Sequence, residues 1–337
     1  MLFSVIIPVF NEAETLNATI TRVREALRRM NWEIIFVNDG STDASLEIIR
    51  RAALLDPRIK AISFSRNFGH QTAITAGLDF ANGDAVAIMD ADLQDPPELL
   101  PRMLELLQQG YDVVSPKRIS RQGETLFKRC TAALFYRALA RIVNGKVSVD
   151  VGDFRLFSRR AVLAIRGFRE RHRFMRGLVA WLGLKEAVLP FERQPRAAGE
   201  TKYSLWKMLQ FAWTAVSSFS ALPLRLSIAA GAILSCGGFL YLLRAIYLAM
   251  FTHTTVPGWA SIVTLQCIFS GMILLALGAI GDYVARIYEE SKGRPLYVVA
   301  SSLNCDLPQN EIPCASVLLA PLFAPEDKPV PAMRISA

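Results

Sequence analysis

Two long apolar runs, Leu226 to Phe251 and Ala260 to Ala285, constrain this chain more than any other feature. Each exceeds the roughly 20 residues that a helix needs to cross a bilayer. Their connection, Thr252 to Trp259, carries neither Lys nor Arg, whereas Arg225 precedes the first run and Arg286, Lys292 and Arg294 follow the second. The positive-inside rule therefore predicts a hairpin with both ends in the cytoplasm and only Thr252 to Trp259 outside. Arg244 interrupts the first run near its outer end. Its stem can snorkel to the interface; contact with a lipid phosphate is the sharper alternative. The chain is 52% hydrophobic with a mean hydropathy of +0.28, too apolar for an ordinary soluble enzyme. A net charge of +8 beside such segments points to an anionic membrane surface, and no nucleic-acid motif accompanies it.

The rest of the chain has a different texture. Strand-like runs at Phe3 to Val9, Glu33 to Val37, Ile59 to Phe64, Ala85 to Met89 and Tyr111 to Ser115 alternate with helical patterns. Those patterns lie near Glu14 to Arg29, Ala44 to Leu55, Thr72 to Ala81 and Glu98 to Gln108. Such alternation predicts an α/β fold with a parallel, doubly wound sheet, ligands binding at the carboxyl ends of the strands. Two amphipathic helices, about 124–144 and 203–222, carry apolar stripes beside basic or aromatic residues. They pack either on the domain core or in the membrane interface. The expected organisation is a catalytic domain over 1–222, two transmembrane helices within 223–298, and a Pro-rich disordered tail over 299–337. The five cysteines are scattered without C-x-x-C, and the three histidines form no ligand pair, so neither zinc nor a disulfide framework is indicated. The N-terminus opens directly on a strand without a basic n-region, so no signal peptide is expected.

Three polar stretches fall at strand ends: Pro8-Val9-Phe10-Asn11-Glu12, Val37-Asn38-Asp39-Gly40-Ser41-Thr42-Asp43 and Asp90-Ala91-Asp92-Leu93-Gln94-Asp95-Pro96-Pro97-Glu98. On an extended chain alternate residues share a face, so Asp90 and Asp92 are expected to converge. Two carboxylates and an amide suit a hard divalent cation that also holds phosphate oxygens. Alone, a D-x-D is as well explained by a polar turn, and D-G-S-T-D by a turn in which Asp43 caps the next helix. Pro97 can open a helix.

In this order and spacing the three stretches resemble family 2 glycosyltransferases of GT-A fold. Asn67-Phe68-Gly69-His70-Gln71, Val151-Gly152-Asp153-Phe154-Arg155-Leu156, Gly199-Glu200-Thr201-Lys202-Tyr203 and the two apolar spans narrow the resemblance. They are similar to polyprenyl-phosphate transferases, especially the bactoprenol glucosyltransferase group, over residues 1 to about 298. The resemblance implies that Pro8, Asn11, Glu12 and Asp39 line a uridine site. It implies that Asp90, Asp92 and Gln94 hold Mg2+ or Mn2+ and that Asp153 stands where the family places its base. Arg118, Arg155 and Lys202 would meet phosphates. His70-Gln71 departs from the Lys or Gln-His of many relatives.

The implied reaction is inverting transfer of a hexose, glucose from UDP-glucose first, to undecaprenyl phosphate at the cytoplasmic face of a bacterial inner membrane. GDP-mannose and UDP-aminoarabinose are the alternative donors, an inactive membrane scaffold is the non-enzyme alternative, and the resemblance also suggests a homo-oligomer, a tetramer. Two spans cannot build a polymer channel, and no Gln-x-x-Arg-Trp motif marks a processive synthase. A phosphate monoester with second pKa about 6 is already largely ionised at neutral pH. Asp153 therefore acts as a base, orients the acceptor, joins the metal shell, or merely caps a helix or pairs with Arg155. Lys202 and Arg196 lie on a Gly-containing loop that either closes over a diphosphate or is simply solvated.

Overall fold

The computed structural model describes residues 1–118, 152–171, 173, 175–191, 222–251 and 258–305. The amphipathic segments expected at 124–144 and 203–222, and Lys202 and Arg196, lie outside these residues, apart from Leu222, the first residue of a later helix.

The first unit is built on β1 (Leu2–Val9), α1 (Ala13–Leu27), β2 (Asn31–Asn38), α2 (Ser45–Leu55), β3 (Ile59–Phe64), α3 (His70–Phe80) and β4 (Ala85–Ile88). A 3-10 turn at Pro97–Leu99, α4 (Leu100–Gln108), β5 (Val113–Arg118), β6 (Arg155–Ser158), α5 (Arg159–Arg166), α6 (Met175–Leu182) and β7 (Glu186–Phe191) follow, and β8 (Val299–Leu303) completes it. The strands form one sheet in the order β7-β5-β6-β4-β1-β2-β3-β8. β1 pairs parallel with both β2 and β4, and β2 with β3. Strands buried on both faces need apolar residues throughout, and β1 and β2 are buried over almost their whole length. Phe3, Val5 and Ile7 pack with Leu16, Val23, Ile49 and Met103 of α1, α2 and α4. Ile6, Ile35 and Val37 pack on the other face with Ile74, Val162, Ile165 and Val179 of α3, α5 and α6. α3 lies so close to β1 that a Cβ on Gly77 would stand 2.1 Å from Ile6 Cγ2.

The sheet corrects the expectation of a purely parallel one. β6 inserts between β4 and β5 and runs antiparallel to both, and β8 runs antiparallel to β3. β5 and β7 are parallel.

The chain after the apolar runs also differs from the tail expected over 299–337. Residues 299–303 are the edge strand β8, and 306–337 lie outside the described residues. The segment is fastened by side chains as well as by the strand. The Tyr297 hydroxyl donates to Asp79 Oδ2 at 2.7 Å, and its ring stacks on Phe64 at 5.2 Å. Asn304 Nδ2 donates to the carbonyls of Ala53 and Ile59. Asp79, buried on α3, also accepts both terminal nitrogens of Arg169 at 2.8 and 2.9 Å.

The second unit contains α7 (Leu222–Phe251) and α8 (Trp259–Ser291). Within them Leu226–Leu248 and Ile268–Ser291 are long and apolar enough to cross a membrane. Large apolar side chains such as Ile228, Phe239, Leu274 and Ile287 are exposed. In water such a surface would be costly; in lipid it is the ordinary outside of a helix. Arg286 pairs with Asp282 one turn earlier at 3.1 Å.

Tyr297→Phe removes one hydrogen bond from a buried carboxylate and should lower stability by about 1 kcal/mol. Asp79→Ala strands a partly buried guanidinium and should cost about 3–5 kcal/mol. Thermal unfolding in detergent should rank wild type above Tyr297→Phe above Asp79→Ala. An Asp79→Ala protein as stable as wild type would contradict this account of the clamp.

Candidate active site

The order β3-β2-β1-β4 reverses direction between β1 and β4. Ligands of open α/β sheets bind outside the strand ends at such a reversal. The three polar stretches of the sequence emerge there.

Asn11, just past β1, adopts φ 56°, a conformation that Asn tolerates. Its Oδ1 accepts from Thr42 N at 2.8 Å, and Ser41 Oγ accepts from Asn11 N at 3.0 Å. The loops after β1 and β2 are thus laced together. Asp43 strengthens the lacing. It lies one residue before the Ala44 cap of α2 rather than at the cap, and its oxygens accept from Ser45 N and Ala13 N. Pro8 is buried in β1, and Glu12 precedes α1 with its N–H on Ser45 Oγ.

Asp39 is buried at the end of β2 and accepts from Phe68 N at 2.6 Å and Gly69 N at 3.0 Å. Burial pushes its carboxyl above the ordinary range against the pull of these two amides. Its first task is therefore to hold the 66–69 loop, and its remaining lone pairs are what a base N–H could use. Gly40 makes this possible. At φ 68° its Cα approaches the same loop, and an added Cβ would lie 2.6 Å from Arg66 C and 2.7 Å from Asn67 N.

That loop delivers α3, whose first residues are His70 and Gln71. β6 delivers Asp153. In the β4–β6 register Ile88 faces Arg155, so Asp90 and Asp153 each lie two residues beyond the last pair, on the same rim. His70 Nε2 stands 3.6 Å from Asp90 Oδ1 and 3.6 Å from Asp153 Oδ2. Gln71 Nε2 donates to Asp153 Oδ2 at 3.2 Å, and Arg176 Nε donates to Asp153 Oδ1 at 3.0 Å. Burial alone would raise the Asp153 pKa, but His70 and Arg176 outweigh it and hold the carboxyl well below the usual range. Burial likewise opposes charge on His70, and Asp153 and Asp90 together raise it. Arg176 forms an ion pair with Asp153. Arg155 is buried at the head of β6, and Arg118 is the last residue of β5.

The Asp90–Gln94 segment corrects another expectation. β4 ends at Ile88, and the chain beyond Met89 turns rather than staying extended. Leu93 sits at φ 59°, an outlier for a bulky residue, and Gln94 N donates to Asp92 Oδ1 at 3.1 Å. Strain of this kind, of order 1–3 kcal/mol, persists where the surroundings over-determine it and clusters at ligand sites. Thr19 Oγ1 fixes the turn by donating to Ala91 O at 2.9 Å. Pro97 opens a single 3-10 turn, as its fixed φ suits. Asp90 and Asp92 are partly exposed, and the buried Gln94 Oε1 has no hydrogen-bond partner among the described residues. Among the described residues no three His, Cys, Asp or Glu side chains form a closed metal cage. Two carboxylates with an unsatisfied amide oxygen fit an open oxygen site, in which substrate phosphates and water complete the shell of a hard cation.

Sequence reasoning left Gln71 and Arg176 without roles and noted His70 only as a departure. One signal was available: Arg166, Arg169, Arg171, Arg173 and Arg176 crowd into eleven residues. Three of them serve as fasteners. Arg166 donates to the carbonyls of Leu78 and Ala81, Arg169 to Asp79, and Arg171 to Arg294 O.

A mixed sheet with paired carboxylates and an unsatisfied amide oxygen at its order reversal suits a cation beside phosphate oxygens. The model of the family "Glycosyl transferase family 2" matches residues 4–166. An "Uncharacterized glycosyltransferase YkcC" of Bacillus subtilis (strain 168) is 48% identical over 89% of this chain and 94% of its own. The "Bactoprenol glucosyl transferase" of Shigella phage SfV is 40% identical over 89% of this chain and 98% of its own. A glucosyl-3-phosphoglycerate synthase from Mycobacterium tuberculosis, solved with Mn2+, UDP-glucose and phosphoglyceric acid, aligns with TM-score 0.47 and 19% identity over 63% of this chain and 76% of that one. The chain belongs to glycosyl transferase family 2, and it is a glycosyltransferase.

Gly40→Ala should strain the backbone and displace the 66–69 loop from Asp39, costing more than about 1 kcal/mol. Reduced Tm together with a raised KM for the nucleotide sugar is the expected result. Wild-type values for both would contradict the loop assignment.

Proposed function

We propose that this glycosyltransferase moves glucose from UDP-glucose to undecaprenyl phosphate at the cytoplasmic face of a bacterial inner membrane. The observation that carries the reading is the meeting of Asp90 and Asp153 at His70, beside the Asp92–Gln94 turn. It supports a site with a cation-holding side and an acceptor side. The bactoprenol glucosyl transferase relatives, matched over nearly their full length, support the sugar and the lipid. The exposed apolar α7 and α8 support an acceptor whose tail stays in the bilayer.

In the proposed reaction an acceptor phosphate oxygen attacks the anomeric carbon opposite the leaving group. A new C–O bond forms, the bond to the β-phosphate oxygen breaks, and its electron pair leaves on UDP, with inversion. Asp90, Asp92 and Gln94 are the residues that would hold Mg2+ or Mn2+, which when bound supplies positive charge to the leaving diphosphate. Pro8, Asn11, Glu12 and Asp39 frame the uridine side. The acceptor is already ionised, so little proton transfer is required. A carboxylate held as low as Asp153 is a poor proton acceptor, and its assigned role is to orient groups at the acceptor phosphate. Arg118, Arg155 and Lys202 are proposed phosphate contacts, and an oligomer, a tetramer, remains part of the proposal.

Asp92→Ala should reduce transfer at least about 100-fold, a loss of order 3 kcal/mol in the transition state, without changing membrane association. Excess EDTA should do the same to wild type. A donor screen with labelled UDP-glucose, GDP-mannose and UDP-aminoarabinose should label undecaprenyl phosphate from the first alone. Full activity in EDTA, or preference for another donor, would contradict the reading.

The proposed topology has a covalent argument beside the charge asymmetry. The chain rejoins the sheet of the catalytic unit as β8 after α8, which supports the hairpin. In a cysteine-free background, a Cys at Thr254 should react with an impermeant reagent on intact cells and a Cys at the exposed Asn17 should not. The reverse pattern would refute the hairpin.

A further inference from the structure

The Asp153 carboxylate is gripped from two helices. Arg176 Nε on α6 donates to Oδ1 at 3.0 Å, and Gln71 Nε2 on α3 donates to Oδ2 at 3.2 Å. The amide of Gln71 is itself fixed, because its Oε1 accepts from Met175 N at 3.2 Å. Turning the amide over would set oxygen against carboxylate oxygen and nitrogen against the Met175 N–H, losing both bonds. An aspartate carboxyl otherwise rotates broadly about its last torsion. Two donors of different origin, one on each oxygen, remove that freedom. The grip also joins three separate parts of the fold: the first turn of α3, the first turn of α6, and the segment that enters β6. Both donors lie within two residues of a held backbone amide. Gln71 follows the helix start held by Asp39 through Gly69, and Arg176 follows Met175.

We propose that Gln71 and Arg176 are positioning residues that fix the Asp153 carboxylate toward the acceptor phosphate. This rests on the reading of Asp153 as an acceptor-site residue. Their contribution passes through Asp153 and vanishes when its charge is gone. A purely structural pair would instead destabilise the fold whatever stands at position 153.

The test is a double-mutant cycle on the full-length protein in detergent with undecaprenyl phosphate and UDP-glucose. Arg176→Gln and Gln71→Met should each lower kcat at least about tenfold and change the donor KM by less than about threefold. In an Asp153→Asn background the same substitutions should change kcat by less than about twofold, as expected for residues acting as one unit. Arg176→Lys, which keeps a charged donor, should recover part of the lost turnover. Thermal melts accompany every variant, and Gln71→Met, which preserves side-chain length, carries the cycle if Arg176→Gln does not fold. Losses that multiply in the double variants overturn the proposal. If Asp153→Asn is inactive while both single variants turn over normally, the grip is irrelevant and the reading of Asp153 stands. If Asp153→Asn turns over normally, that reading fails and the proposal with it.

Discussion

Antiparallel pairing of β6 with β4, in the register that sets Arg155 against Ile88, determines which carboxylates meet at the rim. A one-residue slip would turn Leu156 and Phe157, both fully buried, to the wrong faces of the sheet. Such a slip would trade Leu156 and Phe157 between the two cores that cover the sheet, and the misfit in packing there is what holds the register. The electrostatics of the site are thus set by packing several residues away.

On one rim, the two carboxylates need a counterion. Like charges this close, with one of them mostly buried, would push a proton onto one partner. His70 between them, with Arg176 behind, keeps Asp153 ionised instead. The arrangement separates two tasks. Asp90 and Asp92 remain partly exposed and can face a cation and a diphosphate, while Asp153 is mostly buried and held by its donors on the proposed acceptor side. The segment that follows α8 is fastened to the other end of α3 through Tyr297 and Asp79, so the helix bearing His70 and Gln71 is held at both ends.

The five strands and four helices of the first 118 residues were legible because their apolar periods are long and match burial on both faces. β6 was not, because Arg155–Ser158 is four residues long and begins with a buried charge. β7 alternates buried and exposed residues cleanly, but its parallel partner β5 lies more than 60 residues earlier and no local pattern announces the pairing. β8 was hidden by its position after an apolar helix and by its serines. The D-x-D stretch was found by chemistry and given the wrong local shape, since a positive φ at Leu93 has no signature in a leucine. Gln71 was missed because its partners, Asp153 and Met175, are 82 and 104 residues away.

The most direct measurement is the structure of the product. Purified protein, UDP-glucose, Mg2+ and undecaprenyl phosphate are incubated, and the anomeric configuration of the lipid-linked sugar is read by NMR. The account predicts a glucosyl phosphate of β configuration, inverted from the α-linked donor and formed only with divalent metal. A retained α linkage, or the absence of any lipid-linked glucose, would contradict it.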